Sequence, residues 1–217
     1  MSDKSNKYGY VGVDIPEQSF GANKGVFNPA EINELVADNK WTQYGQLELI
    51  ETQTITSSTA QVDFTNIKED IYNVHFLTVN DLHLVSDFIL AQIRLSSDGG
   101  SSFVSSGYQS AVQRGQADGT FAEDRSSSLG YIRFISNVGN ATNETGNAYM
   151  YLYNLGDSTK YSFTTMQSLN INSAGNFVMG FGSAMLPTAT THNAIRFMLN
   201  SGNIASVDVS LYGIRYS

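Results

Sequence analysis

The residues in this chain that could do chemistry are few, and their spacing limits what that chemistry would be. Its three histidines are His75 in "IYNVHFLTV", His83 in "NDLHLVSD" and His192 in "TATTHNAI". No two of them have the spacing that lets a helix present a pair of metal ligands, so each reads better as a hydrogen-bonded core or loop residue. "ADGTFAED" carries Asp118, Glu123 and Asp124 without the alternating ligands of an EF-hand calcium loop, and these carboxylates read as solvated. A nonstandard calcium loop is the alternative there. A carboxylate pair for glycoside hydrolysis is another, since such pairs meet in space, but nothing singles these residues out. "RLSSDGGSSF" lacks the Lys-Ser/Thr ending of a phosphate-binding loop, and Asp98-Gly99 or Gly99-Gly100 there predicts a tight hairpin turn. "GFGSAM" around Ser183 is not a nucleophile elbow. With no cysteine, thiolate chemistry, thiolate metal sites and disulfides are excluded. The expectation is a protein that is not an enzyme and holds no cofactor and no metal.

A stronger signal comes from aromatic residues. In "AYMYLYNL", Ala148, Met150 and Leu152 share one face of a strand, and Tyr149, Tyr151 and Tyr153 share the other. Three tyrosines in a ladder can make a subunit interface or a sugar-stacking platform, because each ring offers apolar area and a polar tip. Cross-strand packing with the hydroxyls in solvent is the plainer reading. The interface is preferred over the sugar site, which would add acidic and amide groups that the sequence does not place.

The elements that carry these residues are read from periodicity. From Gln46 onward the apolar period is two. Val62 and Phe64 alternate with Gln61 and Asp63, and Ile89, Ala91, Ile93 and Leu95 alternate with Gln92 and Arg94. "IYNVHFLTV" is apolar on both faces and predicts a central strand covered on both sides. About ten strands are expected in all, separated by turns such as "IKED", "NLGDSTK" and "NSGN". Residues 111–128 and 137–147 read as two long polar loops. The predicted fold is an all-β, antiparallel, jelly-roll-like β-sandwich spanning residues 46–217.

Residues 1–45 read differently, as an N-terminal docking arm. "YGYVGVDIPEQSFGANKGVF" has too many glycines and prolines for a helix and predicts extended chain. In "NPAEINELVADNKW", Asn28 is placed to cap a helix, Pro29 suits its first position, and Glu31 can close a capping box. Ile32, Leu35 and Val36 give it a narrow apolar stripe. A helix of about ten residues is not stable alone in water, so it must pack on something. The expected anchors of the arm are Tyr8, Tyr10, Val11, Val13, Phe20, Val26 and Phe27, with Ile32, Leu35 and Trp41 fixing it to a body.

Charge narrows the partners. With 12 basic and 20 acidic residues, the net charge of −8 repels phosphate backbones and anionic lipid, so neither nucleic acid nor a membrane is expected. Only 15% of residues are charged, and neutral polar surfaces of this kind are frequent in extracellular β-proteins and virion proteins. The first residues hold no apolar run like a signal peptide, so export would be by lysis or within a particle. For the same reason "NAT" at Asn140 and "NET" at Asn143 are discounted as glycosylation sites.

Five segments together, "NKGVFNPAEINELVADNKW", "GQLELIETQT", "IRLSSDGGSSF", "YLYNLGDSTKYSF" and "VDVSLYGIR", resemble structural proteins of tailed bacteriophages, especially marine ones. The resemblance runs over nearly the whole chain. It implies a non-enzymatic virion component, either a capsid decoration (cement) protein or a tail-appendage subunit. It also implies other virion proteins as partners and a homo-oligomer, trimers being common among such appendages. The alternative is a lectin-like module recognising host glycans through the tyrosine face or the two long loops. A glycan depolymerase ranks third.

Overall fold

The structure, a computed structural model, describes residue 27, residues 29–37 and residues 47–214. The chain divides into two units, residues 1–46 with Ser217 and residues 47–216. In the first, α1 (Pro29–Ala37) begins with Pro29, as expected, and has Glu31 in its first turn, where the helix dipole favours a carboxylate. Ile32 and Leu35 are half-buried and Val36 is exposed, so the stripe exists but is not sealed. Phe27 is half-buried too. Tyr8, Tyr10, Val11, Val13, Phe20, Val26, Asn28 and Trp41 lie outside the described residues.

The second unit is all-β and sandwich-like. Its strands are β1 (Leu47–Ile55), β2 (Gln61–Phe64), β3 (Val74–Leu84), β4 (Ile89–Ser96), β5 (Tyr108–Gln116), β6 (Phe121–Leu129), β7 (Ile132–Val138), β8 (Gly146–Tyr153), β9 (Ser162–Ile171), β10 (Phe177–Leu186), β11 (Ala194–Leu199) and β12 (Ile204–Ile214). They form an eight-stranded sheet in the order β1-β12-β3-β8-β9-β10-β5-β6 and a four-stranded sheet in the order β2-β11-β4-β7. Every strand pairing is antiparallel.

The core lies between the sheets and is built by the alternation read from sequence. Leu77, Val79, Met150, Leu152, Val209 and Leu211 point inward from the large sheet. They meet Phe64, Ile93, Leu95, Ile135, Ile195 and Phe197 from the small one. A register shift between Leu49 and Glu51 turns Ile50 toward this core within a strand whose other side chains alternate.

Three expectations need correction. Residues 111–128 are not a loop but the body of the β5–β6 hairpin, turned at Gly119 with φ 90°. The period was hidden because, apart from Tyr108 and Val112, inward positions of this hairpin carry Ser110, Arg114, Ala122 and Asp124 rather than large apolar residues. Arg114 Nε bonds Asp124 Oδ2 at 2.6 Å, and Arg133 Nη1 of β7 lies 3.6 Å from the same oxygen, so an ion triad stands where an apolar contact would. Next, Gly99 and Gly100 do take positive φ (70° and 87°), but they do not close a hairpin. They lie between β4 and β5, which belong to different sheets. Finally, β3 is central but not covered on both sides: Phe76 and Thr78 on its outer face are only half-buried.

Candidate functional site: the outer face of the eight-stranded sheet

Tyr149, Tyr151 and Tyr153 stand on the outer face of β8, opposite Ala148, Met150 and Leu152, which are buried in the core. The fold gives them neighbours that the sequence kept apart. Phe76 of β3 pairs with Tyr151, and its ring centroid is 4.7 Å from that of Tyr151, 5.9 Å from Tyr149 and 6.1 Å from Tyr212. Tyr149 meets Tyr151 edge-on at 6.2 Å, and Tyr151 stacks with Tyr153 at 6.4 Å. These separations favour aromatic pairs, so the rings hold one another in place. Their polar tips are bonded within the face. The Tyr149 hydroxyl donates to Gln167 Oε1 at 2.7 Å, and the Tyr153 and Thr165 hydroxyls are 3.2 Å apart.

The strand registers extend this cluster into cross-strand rows. One row runs Leu49, Tyr212, Phe76, Tyr151 over the first four strands, then Thr165, Ser183 and Ala111 over the next three. The row on one side includes Tyr153, Phe163, Met185 and Gln109, and the row on the other includes Thr78, Tyr149, Gln167 and Phe181. No charged side chain occurs in these three rows between β1 and β5; Glu123 and Arg125 enter on β6 at the sheet's edge. Phe181 is 49% exposed and Leu49 57% exposed. An antiparallel sheet ordinarily turns a polar face to solvent, so a neutral, aromatic outer face is the departure that marks a site.

Two depressions interrupt it. One of about 460 Å³ lies over β5, β6, β9 and β10, where Ala111, Ser127 and Ser183 are small and Phe163, Met185 and Arg125 stand around them. Gly180 and Gly182 lie on the core side of β10, where a Cβ on Gly182 would collide with the backbone of Ala111 and Val112. Such a strand glycine permits the close approach of neighbouring backbone. The other depression, about 200 Å³, is lined by Phe76 and Tyr149 with Asn80, Asn147 and Gln167. Amide groups that the sequence did not place beside the tyrosines are therefore present.

The other candidates resolve into structural roles. His75 is fully buried with Nε2 donating to the Ile67 carbonyl at 2.8 Å, and burial lowers its pKa against the opposing pull of that bond. His192 is fully buried 2.9 Å from Ser162 Oγ, and burial lowers its pKa too. Ser162 is itself 1% exposed, so this Ser–His pair cannot meet a substrate. His83 Nδ1 contacts the Glu144 carbonyl at 3.3 Å. Asp118 accepts from the Thr120 amide and from Asn176 Nδ2, while Glu123 pairs with Arg125, so these carboxylates and Asp124 are turned to different partners. Among the described residues no three metal-ligating side chains cluster. Asp98 receives the Ser102 hydroxyl and amide and the Ser96 hydroxyl, which hold its carboxyl down at about 2 and tie the 96–102 turn to itself.

Phe76, Tyr212, Phe163 and Phe181 are members of the face that sequence reading missed. Each sits at an outward position of its strand, so the signal was the phase of each alternation. Registers across strands far apart in sequence were needed to unite them. Comparison with protein-family models, with curated proteins and with solved structures finds no match to this chain.

Proposed function

We propose that this chain is a non-enzymatic bacteriophage virion structural protein, displayed on the particle as a capsid decoration or tail-appendage subunit and anchored through its N-terminal arm. The observation that carries the reading is the strand order. If β5–β6 and β9–β10 are taken as hairpins added to one edge, the remaining strands run β1-β12-β3-β8 over β2-β11-β4-β7. In chain order these eight visit the sheets alternately except at β4 and β7, which follow one another in the small sheet, and this supports a jelly roll with two inserted hairpins, an architecture used by capsid and lectin domains. Fold alone does not assign function. Support beyond it comes from the neutral aromatic face, from the sealed histidines and from the resemblance to phage structural proteins. In this reading the arm's apolar residues, with the stripe of α1, seat in a groove or along a sheet edge of a neighbouring virion protein.

The test is location. Antibodies against the chain should decorate purified particles of the phage that encodes it, at the capsid or at the tail. Particles that carry none of the chain, by labelling and by mass spectrometry, refute the reading.

A second reading is favoured by one observation, the depression where Phe76 and Tyr149 stand beside three amides. Aromatic faces with flanking amides can stack and hydrogen-bond a sugar ring, as a host-glycan-binding module would. Specific binding on a glycan array, lost in Tyr149→Ala, would select it.

A further inference from the structure

From the outer face of the eight-stranded sheet we infer that two copies of this chain pack face to face through it, as a two-fold dimer. The inference rests on the structural reading above, in which the face is a contact surface. Three observations choose a second copy as the occupant.

Size comes first. The seven strands from β1 to β5, about 4.8 Å apart, and three rows about 7 Å apart make an uncharged face of roughly 700 Å². One side of a standard stable interface is about 800 Å².

Charge comes second. Each copy has a net charge of −8, so two copies meet most easily through a surface that carries none. The three rows from β1 to β5 are such a surface. They offer no field that would draw in a partner of opposite charge.

Self-complementarity comes third. In the middle row four strands carry large outward residues (β1, β12, β3, β8) and the next three carry small ones beside the larger depression (Thr165 on β9, Ser183 on β10, Ala111 on β5), with Arg125 of β6 at its rim. A two-fold axis in the contact plane, parallel to the strands and between β8 and β9, lays the large half of one copy on the small half of the other. Tyr151 then opposes Thr165 of the second copy, Phe76 opposes Ser183, and Tyr212 meets Ala111 in the depression. In the next row Thr78 opposes Phe181. These four matches bring a large side chain against a small one, while Tyr153 meets Phe163 ring to ring and Leu49 meets the aliphatic stem of Arg125 at the rim, a self-complementary set as an isologous contact requires. Aligned sheets pack at about −30°, so matches nearest the axis hold best. This arrangement is a dimer, where the phage resemblance pointed to a trimer. It also covers Tyr149, so a glycan in the smaller depression and a second copy on the face exclude one another.

The experiment is sedimentation equilibrium of the full chain at micromolar concentration, with near-UV circular dichroism to confirm folding. The parent should sediment at twice the 23.7 kDa chain mass. Tyr151→Glu, which sets a like-charge pair near the axis, and Ala111→Trp, which fills the depression, should each weaken the dimer by at least about tenfold. Adding Thr165→Lys to Tyr151→Glu should restore it, because each Glu then faces a Lys across the axis. A folded parent that is monomeric overturns the inference and leaves the face to an unlike protein or a glycan. A dimer that survives both single substitutions, or a double variant that stays monomeric, also overturns it. Failure here differs from failure of the virion reading: a dimer missing from particles refutes only the latter, and a monomer found on particles refutes only the former.

Discussion

Removing the Asp124 carboxylate should unlatch the β5–β6 hairpin from the four-stranded sheet. Asp124 on β6 accepts from Arg114 Nε of β5 at 2.6 Å and lies 3.6 Å from Arg133 Nη1 of β7, which belongs to the opposite sheet. The three side chains are 19%, 16% and 24% exposed, so water screens them only in part. A charge-assisted hydrogen bond of this kind contributes about 1.5–3 kcal/mol. The longer contact, closer in kind to a surface pair, adds about 0.5–1 kcal/mol. Asp124→Ala also leaves two guanidiniums facing each other without their anion. The expected loss is about 3 kcal/mol, or a fall of about 6–12 °C in Tm for a body of this size. Urea unfolding is the assay, read at the midpoint with the slope unchanged. In molar salt the parent should lose part of this advantage, since the screening length there is about 3 Å. Replacing the pair with packed apolar residues, Arg114→Met with Asp124→Leu, should recover most of the stability, because the desolvation cost of the ions disappears with them. A single Asp124→Ala variant within about 0.5 kcal/mol of the parent would refute the view that this triad takes the place of apolar packing.

Acid should destabilise the body before its carboxylates titrate. Burial lowers the pKa of both His75 and His192 below 6.5, so as pH falls the unfolded chain takes up protons first. Stability is then level above about pH 6.5 and declines below it, by up to about 1.4 kcal/mol per pH unit for each histidine, until the folded pKa is reached. Denaturation midpoints measured at intervals from about pH 7.5 to 5 test this, and His192→Asn should reduce the slope. Gly213→Ala should cost about 1–3 kcal/mol by overpacking, because the new Cβ would enter the Tyr72 ring; a variant as stable as the parent in urea refutes that contact. Asp98→Ala removes the acceptor that collects the Ser96 and Ser102 groups, and should speed proteolysis within residues 97–107 while the thermal midpoint barely moves. Unchanged cleavage would show that Gly99 and Gly100 shape the turn without it.

Strands whose two faces differ in polarity were legible in the sequence. Val62 and Phe64, or Ile93 and Leu95, announce both a strand and its inward face, and all ten expected strands are present. The two that were missed, β5 and β6, place only Tyr108 and Val112 in the core and fill most other inward positions with ions and small polar residues, a pattern too sparse in apolar residues to give a phase to read. The site was legible by one strand in eight. Tyr149, Tyr151 and Tyr153 show their alternation in three adjacent dipeptides, whereas Phe76, Phe181 and Tyr212 join them only through pairings of long sequence separation. Such pairings depend on registers, and registers here depend on bulges at Leu49/Glu51 and Val79/Leu82 that leave no plain mark in the sequence.

The two outer faces of the sandwich differ in a way that supports the proposal of a contact surface on the aromatic one. On the four-stranded sheet, Arg196 grips Asp63 with two bonds of 2.7 Å, and Phe103, from the segment between β4 and β5, lies 3.9 Å from the guanidinium carbon. That face carries a paired guanidinium and carboxylate and is partly roofed by its own chain. The eight-stranded sheet reverses each of these properties within the same unit. Its apolar rings are grouped, uncharged and locked against one another, with the Tyr149 and Tyr153 hydroxyls already bonded to Gln167 and Thr165. Rings fixed in this way lose little rotamer freedom when covered, which lowers the entropic cost of association. Local rules of folding do not require such a face, since polar residues at Phe163 or Phe181 would suit an exposed strand as well. A departure from local preference that is organised across many strands is where function is expected to reside. The proposed dimer uses the order of the rings: large residues on β12, β3 and β8, small ones on β9, β10 and β5, and an axis between β8 and β9.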